Sequence, residues 1–283
     1  MHVDTVTALT GRLPEFVIIG AIRAGTTSLA RYLGAHPQVF MAEQKEVRFF
    51  NSNLEMGLDW YKSQFRNALP DQIVGEATPA YMSNAAAMAS MAEVLPDARL
   101  IAVLREPASR AWSHYWMRRE RGKEDRTFSD AVSQEMRIIS SDGPDSTELH
   151  YLSNSMYAHH IRRAIGLFSE EAVCVVIFEQ MLANPADEYA AVCRFLQVSP
   201  DFLPAGLGTP INSYVTFRSL GLRRASKGLP RPLRRALDRM NTRRDMSYPE
   251  MEEESRRTLS EFFAAANQDL EELLVRQVPE WST

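Results

Sequence analysis

The chain has 283 residues, is 45% hydrophobic and 24% charged, and carries a formal net charge of -4. That composition excludes a disordered chain or a fibre, and the slight acidity argues against a general nucleic-acid binder. The length is enough to bury a sizeable core.

The opening residues, MHVDTVTALTGRLPE, have neither the basic nor the apolar segment of a signal peptide. No apolar run approaches the roughly 18 residues that a membrane span needs. The expectation is a cytoplasmic protein with no membrane partner. Its two cysteines, Cys174 and Cys193, read as buried, reduced thiols, because neither has metal-ligand or redox spacing.

In chain order, Phe16-Val17-Ile18-Ile19 is a continuous apolar run, as expected of a strand covered on both faces. Gly20 and Gly25 bracket a tight loop, and a helix follows over Thr27–Gly34. Gln38–Met41 reads as a short strand, Leu58–Tyr61 as a helix start, and Ile73–Glu76 as another strand. A helix over 84–94 stops at Pro96, and Arg99–Leu104 is the next buried strand. Helices are predicted over 108–119 and 128–139, with a polar loop at 140–146. A helix over 154–168, a buried strand over 173–178 and a helix from Pro185 to Leu196 complete this part. Strands alternating with helices indicate an α/β fold: a single three-layer domain, 1–283, with a mostly parallel central sheet of the P-loop nucleotide-binding type. Residues 1–14 form a tail. The 205–248 region is a basic loop or flap, with an arginine-rich helix pair as the alternative. Residues 249–277 hold a docking helix whose Leu259, Phe262, Phe263, Ala266, Leu270, Leu273 and Leu274 share one face.

Three features carry chemistry. Strand, glycine loop and helix start form an anion site, since first-turn amides and the helix dipole point at whatever the loop holds. Gly20-x-x-x-x-Gly25 has the glycine spacing of a triphosphatase phosphate loop, but Thr26 stands where that motif has Lys. Arg105 then ends the Arg99–Leu104 strand where such enzymes place a metal-binding Asp. A guanidinium fork there suits a phosphate oxygen, and Ser113, eight residues on, adds a hydroxyl. A metal-free, cation-lined site follows. Glu46, between Lys45 and Phe49-Phe50, reads either as half of a surface salt bridge or as a general base beside the anion loop. His36, His114 and His159-His160 compete for the base role. Trp112–Met117 and Met56–Tyr61 either pack the core or line an acceptor pocket.

The segments FVIIGAIRAGTTSLARYLGAHPQV, KEVRFFN, GEATPAYM, LREPASRAWSHYWM and the late SYP before a helix, in that order, resemble sulfotransferases that use 3'-phosphoadenosine 5'-phosphosulfate (PAPS). The branch resembled is that of the heparan sulfate sulfotransferases and their bacterial relatives, over about 16–281. The resemblance implies that Arg23, Ala24, Gly25, Thr26, Thr27 and Ser28 form the 5'-phosphosulfate loop. Arg105 and Ser113 would hold the 3'-phosphate, and Glu46 would be the general base of an E-x-x-F-F motif. Arg243, Arg244, Ser247 and Tyr248 would belong to a cationic loop over the 3'-phosphate. The acceptor implied is a hydroxyl of a carbohydrate or small natural product. Arg23 departs from the family's usual Lys, and Ala77 stands where several glycan-acting members carry Lys. The alternatives on the same sheet are a small-molecule kinase, opposed by Thr26 and Arg105, and a non-catalytic nucleotide-binding module.

Overall fold

A computed structural model of the chain describes residues 11–209 and 249–281, and between them residues 216–217, 221–222, 226, 230, 233, 237, 240 and 242–243. The chain divides into two compact units, one of residues up to 105 with 157–209, the other of 106–156 with the chain from 210 on. Among the described residues no helix is long and apolar enough to cross a membrane.

The first unit is built on a five-stranded parallel sheet: β1 (Phe16–Gly20), β2 (Val39–Met41), β3 (Ile73–Ala77), β4 (Arg99–Leu104) and β5 (Val173–Ile177). Their order in space is β2-β3-β1-β4-β5. The central β1 pairs Phe16 with Gly75 of β3 on one side and with Arg99 of β4 on the other. It is covered everywhere, so its side chains are fully buried and its sequence shows no polar alternation. The sheet edge β5 is more open; Val173, Cys174 and Val175 are only half-buried. That corrects the expectation of a fully buried strand and of two buried thiols, since only Cys193 is buried.

Helices α1 (Thr26–Gly34), α2 (Phe49–Ser52), α3 (Gly57–Ser63), α4 (Ala85–Val94), α7 (Tyr157–Leu167), α8 (Phe178–Ala183) and α9 (Pro185–Leu196) belong to this unit, while α5 (Pro107–Glu120), α6 (Phe128–Asp142) and α10 (Glu253–Leu274) belong to the other. The order of strands places the chain's switch of direction at β1: β2 and β3 build out on one side, then β4 and β5 on the other. Open α/β sheets bind ligands beyond the carboxyl ends of strands at such a point. The loop after β1 and Arg105 after β4 both lie there.

Three elements differ from the sequence reading. Phe178 starts α8 instead of ending the strand, and α6 runs on to Asp142, where Gly143 stops it at φ 85°. The predicted polar loop after Ile139 is therefore mostly helical. The helix expected from Asn154 begins as a 3-10 turn, Ser153–Ser155, with α7 starting at Tyr157.

In the second unit, Leu259 and Phe263 of α10 join a core with Ala108, Ala111 and Tyr115 of α5 and with Phe128 and Tyr151. Trp112 stacks on Tyr115 with ring centres 5.7 Å apart and donates from Nε1 to the Pro249 carbonyl at 2.8 Å. Its role is packing. The fully buried Arg110 donates from Nε to Ser155 Oγ at 2.5 Å and from Nη2 to the Tyr151 carbonyl. Buried Glu135 accepts the Tyr151 and Ser153 amides at 2.8 and 3.0 Å, which fixes the turn that leads toward α7.

Candidate functional site

The loop after β1 turns through two left-handed residues, Arg23 at φ 72° and Gly25 at φ 95°. Gly25 is required twice over, because an added Cβ would lie 2.6 Å from Phe178 Cδ2. The loop is held to the sheet by the Ala21 amide, which donates to the Val103 carbonyl of β4 at 2.7 Å. Ser28 and Leu29 amides return to the Gly25 carbonyl at 2.9 and 3.3 Å and begin the helix's own ladder. Amides before them have no partner inside α1, and no side chain caps it. The turn therefore presents main-chain donors at the positive end of a helix, an arrangement suited to an anion.

Two cations flank it. Arg105 reaches the Arg23 carbonyl from Nη1 at 3.4 Å, with its guanidinium 5.2 Å from the centre of the Phe178 ring. Phe178 thus touches both the loop glycine and the arginine after β4. Tyr157 fixes the Arg105 backbone, donating from its hydroxyl to the Arg105 carbonyl at 2.8 Å. The second cation, Lys45, donates from Nζ to Thr27 Oγ1 at the start of α1. Partial burial lowers the Lys45 pKa; the adjacent Glu46 carboxylate raises it and the Arg23 guanidinium lowers it. Lys45, Glu46, Arg23 and Thr27 are therefore one electrostatic group.

Glu46 and Arg48 both have left-handed backbones, at φ 59° and 56°, around the fully buried Val47. Arg48 donates to Glu46 Oε2 from Nε at 2.9 Å and also from Nη2. The Glu46 side chain is 30% exposed and its partner 52%. The ion pair expected as one reading of Glu46 is present, and the neighbouring Lys45 ties the same segment to the loop after β1.

Beneath this segment, at the carboxyl end of β3, lies Glu76, with no exposure. Its Oε1 accepts the hydroxyls of Tyr61 at 2.8 Å and Tyr81 at 3.1 Å, and its Oε2 accepts the Thr78 hydroxyl at 2.7 Å. Burial raises the Glu76 pKa, and the hydroxyls of Thr78, Tyr61 and Tyr81, with the nearby Val47 amide, oppose that rise. Burial and the Glu76 charge push the Tyr61 pKa well up, so its phenol remains a donor.

Of the predicted site residues, Arg23, Ala24, Gly25, Thr26, Thr27, Ser28, Glu46 and Arg105 are brought together in the first unit. Ser113 lies in the second unit, on α5, 1% exposed. The Arg243 backbone pairs with Phe217's neighbour Thr216 in a two-stranded sheet, while Arg244, Ser247 and Tyr248 lie outside the described residues, as does most of the expected basic flap. The histidines have structural duties: His36 Nε2 meets the Ser199 carbonyl at 2.9 Å, and His114 Nδ1 meets the His150 carbonyl at 3.0 Å. His159 Nε2 pairs with Arg163 Nη2 at 2.7 Å. Lys45's bond to the loop, and the roles of Arg48, Glu76, Thr78 and Phe178, are absent from the sequence reading. The signal available was the charge-dense KEVR run and the unbroken apolar VCVVIF.

A model of the sulfotransferase domain matches residues 13–221. The chain belongs to this family. The chain is 30% identical over 290 aligned positions to the human bifunctional heparan sulfate N-deacetylase/N-sulfotransferase 2, covering 95% of this chain and 31% of that protein. It is 29% identical to the human heparan sulfate glucosamine 3-O-sulfotransferase 5, over 68% of this chain and 56% of the relative. It spans 31% and 56% of the length of these two relatives. A solved sulfotransferase from Alicyclobacillus acidocaldarius matches with a TM-score of 0.72 and 26% identity, covering 96% of this chain and all of that one. The expected family and the α/β fold with a parallel sheet are thus what the chain has.

Proposed function

We propose that the sulfotransferase moves a sulfuryl group from PAPS to a hydroxyl of a sugar or small natural product, with Glu46 as general base. The observation that carries this reading is the bond from Lys45 to Thr27, which ties the segment bearing Glu46 to the anion cradle. The donor set fits a phosphosulfate: main-chain amides of a glycine turn, two arginines and a lysine, with no carboxylate among the cradle residues 23–28. PAPS, when bound, supplies the activated sulfuryl group.

The protein's own part is positioning, charge and proton transfer. The cradle amides and Arg23 hold the 5' end of the nucleotide and stabilise negative charge there, and Arg105 with Ser113 holds the 3'-phosphate. Arg23 keeps the charge of the family's usual Lys but, as a permanently protonated fork, has no proton to give. Lys45 adds an ammonium to the same cradle. As the acceptor oxygen bonds to sulfur, the bond between sulfur and the 5'-phosphate oxygen would break, its electron pair leaving on that phosphate beside the cradle cations, and Glu46 would take the acceptor's proton. Arg243, Arg244, Ser247 and Tyr248 complete the cofactor site as a cationic cover. The named relatives act on heparan sulfate, which supports a carbohydrate acceptor; the proposal extends to a cytoplasmic, bacterial enzyme, with the Alicyclobacillus likeness as support for the source.

The test is Glu46→Gln. Transfer of radiolabelled sulfuryl is expected to fall by about 10²–10⁴-fold. Calorimetric affinity for the desulfonated nucleotide, 3'-phosphoadenosine 5'-phosphate, is expected to stay within about twofold. Retention of most of the turnover overturns the base assignment.

A further inference from the structure

Glu76 is a buried carboxylate that the chemistry above does not use, and its contacts all lead back to the segment that carries the base. Through the Thr78 hydroxyl, whose oxygen accepts the Arg48 amide at 3.1 Å, it holds one main-chain donor. Through the Tyr81 hydroxyl, which accepts the Phe50 amide at 3.4 Å, it holds a second. Two amides within four residues of Glu46 therefore converge on one carboxylate, each by way of a hydroxyl. Each hydroxyl can serve this way because it accepts from an amide while donating to Glu76.

That convergence falls where the backbone needs it. Glu46 and Arg48 both occupy the left-handed region, which non-glycine residues rarely enter without support. Val47 between them is fully buried and Phe49 stacks on Tyr61 with ring centres 4.3 Å apart, so the segment is pinned by packing as well. A salt bridge to an exposed Arg48 does not by itself fix a carboxylate in space. A fully desolvated hydrogen-bond network does.

From this we infer that Glu76, acting through Thr78 and Tyr81, is a positioning residue that fixes the backbone of Glu46 and so sets the direction of the base. The inference rests on the reading of Glu46 as the base. Glu76 touches neither cofactor nor acceptor in this role, and its effect is exerted on kcat.

The experiment uses Thr78→Val, which keeps the side-chain shape and removes the bridging hydroxyl, with Thr78→Ser as the conservative rescue. For Thr78→Val, kcat is expected to fall about 10²-fold, the scale of a misplacement of about 1 Å at a reacting group. The KM for PAPS and the calorimetric affinity for the desulfonated nucleotide are expected to change less than about twofold, and Thr78→Ser is expected to regain most of kcat. In a Glu46→Gln background, Thr78→Val is expected to have little further effect on the residual rate, because its action passes through Glu46. An unchanged kcat in folded Thr78→Val, or effects that multiply in the double variant, overturns the inference. Substantial turnover in Glu46→Gln alone instead overturns the base assignment, which keeps the two failures apart. If Thr78→Val does not fold, Tyr81→Phe is read in the same way, with an expected fall in kcat of about tenfold.

Discussion

Arg105 is the residue on which the cofactor assignment is most exposed to test. It follows β4 directly, and its guanidinium meets the Arg23 carbonyl and faces the Phe178 ring. Arg105→Ala is expected to raise the dissociation constant for 3'-phosphoadenosine 5'-phosphate by about one to three decades by calorimetry, the worth of a charge-assisted hydrogen bond in a partly desolvated site. An analogue lacking the 3'-phosphate is expected to lose little further affinity in that variant. A large additional loss places Arg105 elsewhere. The residue's place was legible in the sequence because an arginine ended an apolar strand. Phe178 was not, since it continues the VCVVIF run and only the fold shows it against Gly25. Glu76 was equally hidden: one glutamate ending a strand reads as a surface residue until Tyr61, Thr78 and Tyr81 converge on it from separate elements.

Elements with complete local signals were read to the residue. β4 spans Arg99–Leu104 as expected, because a strand covered on both faces is marked by an unbroken apolar run with polar flanks. Helix α4 follows Asn84, whose side chain accepts the Ala87 amide at 2.9 Å, and Asn84→Ala is expected to cost about 1 kcal/mol in chemical denaturation. A loss near zero assigns the start of α4 to packing alone. The missed elements lack such marks. α2 has four residues and no periodicity, and α8 starts with no side-chain cap at Ile177. Their positions come from tertiary contacts, Phe49 on Tyr61 and Phe178 on Gly25, which sequence spacing does not express.

At the scale of the whole molecule, buried ionisable groups set the response to acid. Burial and then the Arg110 charge hold the His114 pKa well below its ordinary value of 6.5. Its contribution to stability is therefore complete above about pH 6.5 and is lost as pH falls through the depressed folded value. Burial raises the Glu124 pKa, but hydrogen bonds from Arg126 and Tyr151 outweigh it and bring the value to about 2 from 4.5. That contribution is present above pH 4.5 and is lost as pH falls toward 2. Glu76, raised by burial, has the opposite sign and favours the fold in its protonated form. Thermal melts are expected to drop as pH falls below about 6.5, with a further decline between pH 4.5 and 2 on the order of 2 kcal/mol. Glu124→Gln is expected to flatten the lower step, and an unchanged step removes Glu124 as its source.

On the proposed assignment, the bond from Lys45 to Thr27 also makes nucleotide and acceptor answerable to one another. One end of that bond lies at the start of α1 and the other adjoins Glu46, the proposed base, so a nucleotide that draws Lys45 off Thr27 alters the segment an acceptor must meet. Linkage then demands reciprocity: the factor by which acceptor changes nucleotide affinity equals the factor by which nucleotide changes acceptor affinity. Lys45→Met is expected to shrink both factors together, measured by titrating 3'-phosphoadenosine 5'-phosphate with and without a saturating acceptor. Unaltered factors mean that the bond transmits nothing. If the factors shrink, a single ammonium sets how strongly the protein favours holding nucleotide and acceptor at once over holding either one alone.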